Sequence, residues 1–120
     1  MKRDLDLVRE ILLLLEDHPE GSAPAVRIGG RSQEEIDYHC YLIVEANLAN
    51  GTVIKTLKQP SPRARLFHLN NAGHDFLANT RDPTIWEKTK SAMQKTGSTS
   101  IEIAIKVAAE VATRMALAAT

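Results

Sequence analysis

Reactive sulfur is almost absent from this sequence, in which Cys40 is the single cysteine. No disulfide or multi-cysteine metal site can form within one chain, which points to a reducing compartment, the cytoplasm. Aromatic residues are also scarce, limited to Tyr38, Tyr41, Phe67, Phe76 and Trp86. The core must then rest on aliphatic and alanine packing, and that composition favours helices. A charge excess of either sign is missing as well, because 15 Lys and Arg residues balance 15 Asp and Glu residues. Dedicated nucleic-acid binders usually carry surplus positive charge, since phosphate contacts supply most of their affinity. Neutrality weighs against that class without excluding it.

Long apolar runs are lacking too. No stretch reaches the roughly 18 uninterrupted residues of a membrane span, and the charged opening Met1-Lys2-Arg3-Asp4 has no apolar signal-peptide core. A soluble cytoplasmic protein with no membrane partner is expected. There is no Gly-rich phosphate loop, nucleophile elbow or plausible carboxylate pair, so no enzymatic activity, catalytic residue or cofactor is expected. The histidines His18, His39, His68 and His74 do not fall at metal-ligand spacings, and no metal site is expected. His39 and His74 are expected near the core.

What is present is a clear succession of elements. Asp4 to His18 carries Leu5, Val8, Leu12 and Leu15 at helical spacing, with Asp4 and Asp6 in the dipole-favoured first turn and Pro19-Glu20-Gly21 as a stop. A loop follows with a short β-capable piece, Ala25-Val26-Arg27-Ile28, closed by Gly29-Gly30. Ser32 and Glu35 stand at capping-box spacing and open a helix to Ala46, while Asn47 sits where a left-handed residue ends a helix well. Thr52 to Lys58 alternates and is β-branched, Gln59-Pro60-Ser61-Pro62 is a turn, and Arg63 to Leu69 is the return strand. Asn70 caps a helix to Thr80. Asp82-Pro83 starts another to about Lys95, Gly97-Ser98 is read as a hinge, and Ser98 or Thr99 opens a last helix to about Ala118.

A helix followed by a basic hairpin is the sequence pattern of a winged helix-turn-helix. The expected fold is therefore α+β and mostly helical, with a winged-helix-like domain at 1–95 and a self-association helix at 96–120. Several segments also resemble a known family. They are Lys2-Arg3-Asp4-Leu5-Asp6-Leu7-Val8-Arg9, Ile36-Asp37-Tyr38-His39-Cys40-Tyr41-Leu42, Leu69-Asn70-Asn71-Ala72-Gly73-His74-Asp75-Phe76-Leu77 and the later Arg81-Asp82 and Trp86-Glu87-Lys88. Together they resemble domain of unknown function (DUF) family 2513, short proteins of bacteria and their phages. The resemblance covers roughly residues 1–90 and implies a winged-helix domain carried on mobile elements, with no catalytic activity.

Two surfaces carry the functional expectation. The hairpin holds Lys55, Lys58, Arg63 and Arg65 with no acid, and Arg27 and Arg31 extend the patch. These cations either contact nucleic-acid phosphates or protect exposed strand edges. The start of the preceding helix, Ser32-Gln33-Glu34-Glu35-Ile36-Asp37, is too acidic for ordinary major-groove insertion. In the last helix, Glu102, Lys106, Glu110 and Arg114 form one narrow polar stripe, and the remainder is apolar. So wide an apolar surface calls for a partner. The expected interface is Ile101, Ile105, Ala108, Val111, Ala112 and Met115, pairing one copy of the chain with another. The two functions in view are a homo-oligomeric DNA-binding regulator of phage or mobile-element type and a module that engages a host protein without binding DNA.

Overall fold

The computed structural model describes residues 1–19, 26–55 and 61–119. Its elements are α1 (Leu5–Asp17), α2 (Gln33–Glu45), β1 (Ala49–Ile54), β2 (Arg63–Leu69), α3 (Asn71–Thr80), α4 (Pro83–Thr96) and α5 (Ile101–Ala118). The protein is thus α+β and mostly helical, with one two-stranded antiparallel sheet among the described residues. Lys58, Ala25, Thr56, Gln59 and Pro60 lie outside the described residues. Two compact units divide the chain, Met1–His74 and Asp75–Thr120. The division expected at residue 95 falls inside the second unit, at the end of α4.

In the first unit α1 packs on α2 and β2. It buries Leu7, Val8, Ile11, Leu12 and Leu15 on one side, each such side chain contributing roughly 1.5–3 kcal/mol. Its N-terminus is tied to α2 by a polar knot. The Asp4 carboxylate caps α1 by accepting from the Leu7 N–H at 3.2 Å, and its other oxygen meets Arg31 Nη1 at 2.6 Å. The Asp4 N–H donates to His39 Nε2 at 2.9 Å, while His39 Nδ1 donates to the Glu35 carbonyl at 2.8 Å. These partners define the Nδ1–H tautomer. His39 is fully buried with both ring nitrogens satisfied, as a buried polar group must be.

α2 ends as its sequence requires. Asn47 adopts φ 58°, with the Asn47 N–H donating to Val44 O at 3.0 Å and the Leu48 N–H to Ile43 O at 3.1 Å, a Schellman motif. The chain passes at once into β1, which begins at Ala49 and not at Thr52 because Ala49 and Asn50 pair with Leu69 and His68. Neither residue has β propensity; the partner strand imposes the conformation. Between Asn50 and Gly51 the register slips by one, leaving an extra residue on β2. This bulge explains why Phe67 and His68 are both exposed and Leu69 is buried again, since an added residue reverses the inward–outward alternation.

Asn70 then caps α3, its Oδ1 accepting from the Gly73 N–H at 2.9 Å. Its amide also donates to the Asn47 carbonyl at 2.6 Å, latching the end of β2 to the end of α2. Gly73 is held against the Leu48 backbone so closely that a Cβ would stand 2.0 Å from the Leu48 carbonyl oxygen. That contact gives a physical reason for glycine within the Ala72-Gly73-His74 segment.

In the second unit Asp82 caps α4, with Pro83 in its first turn. Gly97 at φ 68° closes α4, and the Ser98 N–H donates to Met93 O at 3.1 Å. The expected hinge is therefore a hydrogen-bonded Schellman cap. Ser100 caps α5, its Oγ accepting from the Ile103 N–H at 3.2 Å; this corrects the start expected at Ser98 or Thr99. α4 and α5 pack together. Their buried residues, Trp86, Thr89 and Met93 against Ile101, Ala104 and Ala108, share one spacing along their helices. Phe76 meets Trp86 edge to face at 6.1 Å, a favoured aromatic geometry.

Two stability outcomes follow from this architecture. Gly73→Ala should cost about 3 kcal/mol, because backbone must move to admit the methyl group, and a denaturant titration against the parent chain measures it. Asp4→Ala should cost about 1 kcal/mol through the lost cap alone. Burial raises the Asp4 carboxyl, but the Arg31 hydrogen bond and charge and the backbone N–H groups together hold it below the ordinary 3.8. The unfolded chain therefore takes up that proton first as pH falls. This contribution is fully present above 3.8 and is lost on acidification through the lower folded value. Asp4→Asn, which still caps, should remove that part of the acid dependence, and an unchanged acid-unfolding profile would contradict the assignment.

Candidate functional site

The hairpin presents its cations unevenly. Lys55 is exposed just beyond β1, Arg65 is exposed opposite Thr52, and Arg63 is partly buried opposite Ile54. Arg63 and Arg65 alternate with the buried Ala64 and Leu66, so strand geometry puts both arginines on the face opposite those two residues. Arg27 reaches the same region. With Arg63 and Arg65 it lines a cleft of about 260 Å³ whose lining also includes Gln33, Asp37 and Cys40 of α2. Those three α2 residues recur at i, i+4 and i+7, one face of a helix. Val26 lines the cleft too, its carbonyl accepting from the Gln33 amide at 3.2 Å, although residues 26–28 form no strand.

Arg31 does not join this group. It is bound to Asp4 at 2.6 Å and approaches Glu35 at 3.5 Å. Structural pairing thus removes Arg31 from the basic patch expected of it. Lys58 lies outside the described residues. The acids at the start of α2 are likewise engaged. Glu34 accepts from the Ser61 hydroxyl at 3.0 Å and Asp37 from the Gln33 amide at 2.9 Å. The Glu34 contact sets the acidic helix start against the return of the hairpin, a role that periodicity and capping do not reveal.

Arg63 is the unusual member of the group. Its Nε is sealed from solvent without a hydrogen-bond partner, a state that ordinarily costs 1–3 kcal/mol or more for a charged donor. Cys40 shares the cleft wall but is a poor nucleophile. Burial, with a smaller effect of the Asp37 charge, pushes its thiol up to about 12, so almost no thiolate exists at neutral pH. His74 is exposed, against expectation, because Gly73 and Phe76 take the inward positions of α3 around it. Among the described residues no group of three or more His, Cys, Asp or Glu could hold a metal ion. No described helix is long and apolar enough to cross a membrane.

On α5 the expected ion pairs form, with Lys106 3.4 Å from Glu102 and Arg114 2.6 Å from Glu110. Ile101 and Ala108 are already buried within the chain, which corrects their placement on an open interface. Ile105, Val111, Ala112 and Met115 keep partial exposure. Ile103 at 46% and Leu117 at 68% exposure are the larger open apolar groups; the width of the apolar surface implied them, but helical phase alone did not select them.

Comparison with known proteins places this architecture in a family. A family model described as "Hypothetical protein (DUF2513)" matches residues 2–99. A protein of Haemophilus influenzae, titled "Uncharacterized protein", is 32% identical over 114 residues, spanning 93% of this chain and 92% of its own. No solved structure matches significantly. The match to residues 2–99 takes in every element from α1 to α4, and on it this chain belongs to the DUF2513 family.

Proposed function

We propose that this protein is a winged-helix-like regulator of phage or mobile-element type that binds double-stranded DNA through its hairpin as a homo-oligomer. The order α1, α2, β1, β2, with residues 26 and 27 lining a cleft shared with α2 and β2, supports the winged reading. So does the direct passage from α2 into the hairpin. The observation that carries the binding reading is the gathering of Arg27, Arg63 and Arg65 at one cleft, with none of them in an ion pair among the described residues. Cations needed for stability are normally found paired, as Arg31 is. Unpaired arginines beside an exposed lysine suit phosphate oxygens. The engaged acids of α2 leave that helix unsuited to reading bases, so the hairpin makes the contact and the binding is sequence-tolerant.

A protein-interaction module is the second reading. Zero net charge and exposed apolar side chains at Phe67, Ile103 and Leu117 favour it. Both readings have α5 joining copies through Ile105, Val111, Ala112 and Met115, extended by Ile103 and Leu117.

Fluorescence anisotropy with a random-sequence duplex separates the two readings. Binding at low salt should weaken with a log–log salt slope of about −0.9 per phosphate neutralised, and Arg63→Ala with Arg65→Ala should abolish it. Absence of binding at low salt, or binding indifferent to salt, would overturn the DNA reading and leave the protein-interaction one. Light scattering of the full chain should give a multiple of the monomer mass of 13.2 kDa. Val111→Glu with Met115→Glu should return it to the monomer, and a monomeric parent chain would refute the oligomer.

A further inference from the structure

We propose that the cleft between residues 26–27, α2 and β2 is a binding site for a single phosphate group, with Arg63 as its principal ligand. The inference goes beyond duplex binding and does not require it, although the two share Arg63 and Arg65. It begins with an imbalance of donors. The Arg63 side chain makes no hydrogen bond or ion pair with any described group, and its Nε is both buried and unpartnered. The sealed Nε holds the guanidinium at the cleft wall, and its terminal N–H groups form the fork that matches the oxygens of a carboxylate or phosphate. Arg65 stands two residues along the same strand, and Arg27 completes the wall. Three cations around one small cleft exceed what a single carboxylate would balance. A phosphate with up to two negative charges balances them better.

The dimensions and the rest of the lining narrow the choice further. A cleft of about 260 Å³ lies at the small end for ligand pockets, enough for one phosphate and the first atoms of its ester but not for a base pair. From α2 the lining includes Asp37 and Gln33, bonded to each other at 2.9 Å. The Asp37 carboxylate repels a second anion, yet it accepts well from a hydroxyl. A phosphate facing Arg63 with a hydroxyl-bearing ester body facing Asp37 satisfies both groups. That group can arrive on a free sugar phosphate or as one unit of a nucleic-acid backbone.

The test uses the full chain labelled with 15N, following the arginine Nε–H resonances while inorganic phosphate is added and chloride is lowered to hold ionic strength constant. The expected result is a saturable shift of the Arg63 resonance with smaller shifts for Arg27 and Arg65. Arg63→Lys keeps the charge but removes the fork. It should weaken binding, followed through Arg27 and Arg65, about tenfold, the loss of one charged hydrogen bond. Arg65→Ala alters an exposed position and serves as a second variant, and thermal melts verify that both fold. A non-saturating response, or one unchanged in Arg63→Lys and Arg65→Ala, overturns the proposal. Two further titrations identify the source. Tighter binding of glycerol phosphate than of a dinucleoside phosphodiester marks a free phosphomonoester, and the reverse marks the backbone. A chain that binds inorganic phosphate but no duplex retains the cleft while losing the DNA reading.

Discussion

The first unit is organised around Asp4. One residue caps α1 with its side chain, holds Arg31 with the same carboxylate and gives its N–H to the buried His39. Helices α1 and α2 are thereby fixed at one end before any apolar contact is considered, and their leucines and isoleucines close behind that point. Remote pairs of this kind select a particular arrangement among several that bury similar apolar area. The functional consequence is subtraction. Arg31, which in sequence stands among the basic residues, is spent on folding, and the cations left for a ligand are those of the hairpin and Arg27.

That subtraction reconciles a neutral chain with a basic surface. A net charge of zero describes the sum, while a ligand meets only the charges that structure leaves unpaired. On α5 the opposite signs are matched in i,i+4 pairs, and just before α2 Arg31 is held by Asp4 and Glu35. Around β2 the signs are not matched. Local potential depends on that distribution far more than on the total.

Much of the fold was legible in the sequence because its signals are local. Caps at Ser32, Asn70 and Asp82, the left-handed Asn47 and the aliphatic spacing of α1 all act within a few residues, and each appears where expected. Asp4, placed in the first turn by its charge, is the residue that caps α1. The features that escaped are those set by distant partners. The early start of β1 is dictated by Leu69 and His68, the bulge by pairing across the hairpin, and the loss of Arg31 by a residue at the other end of α1. The candidate site shows the same division. Arg63 and Arg65 were identifiable as cations of an acid-free hairpin, but Asp37 and Gln33 join them only because α2 packs on β2.

The burial of Cys40 has a practical side. A chain whose one native thiol stays protonated and sheltered is a clean background for site-directed labelling. A cysteine placed at an exposed position, such as Asn50 on the hairpin or Leu117 near the end of α5, would be the only fast-reacting sulfur. A fluorophore or spin label could then report on either surface without removal of the native residue, and so without disturbing the apolar packing that Cys40 completes.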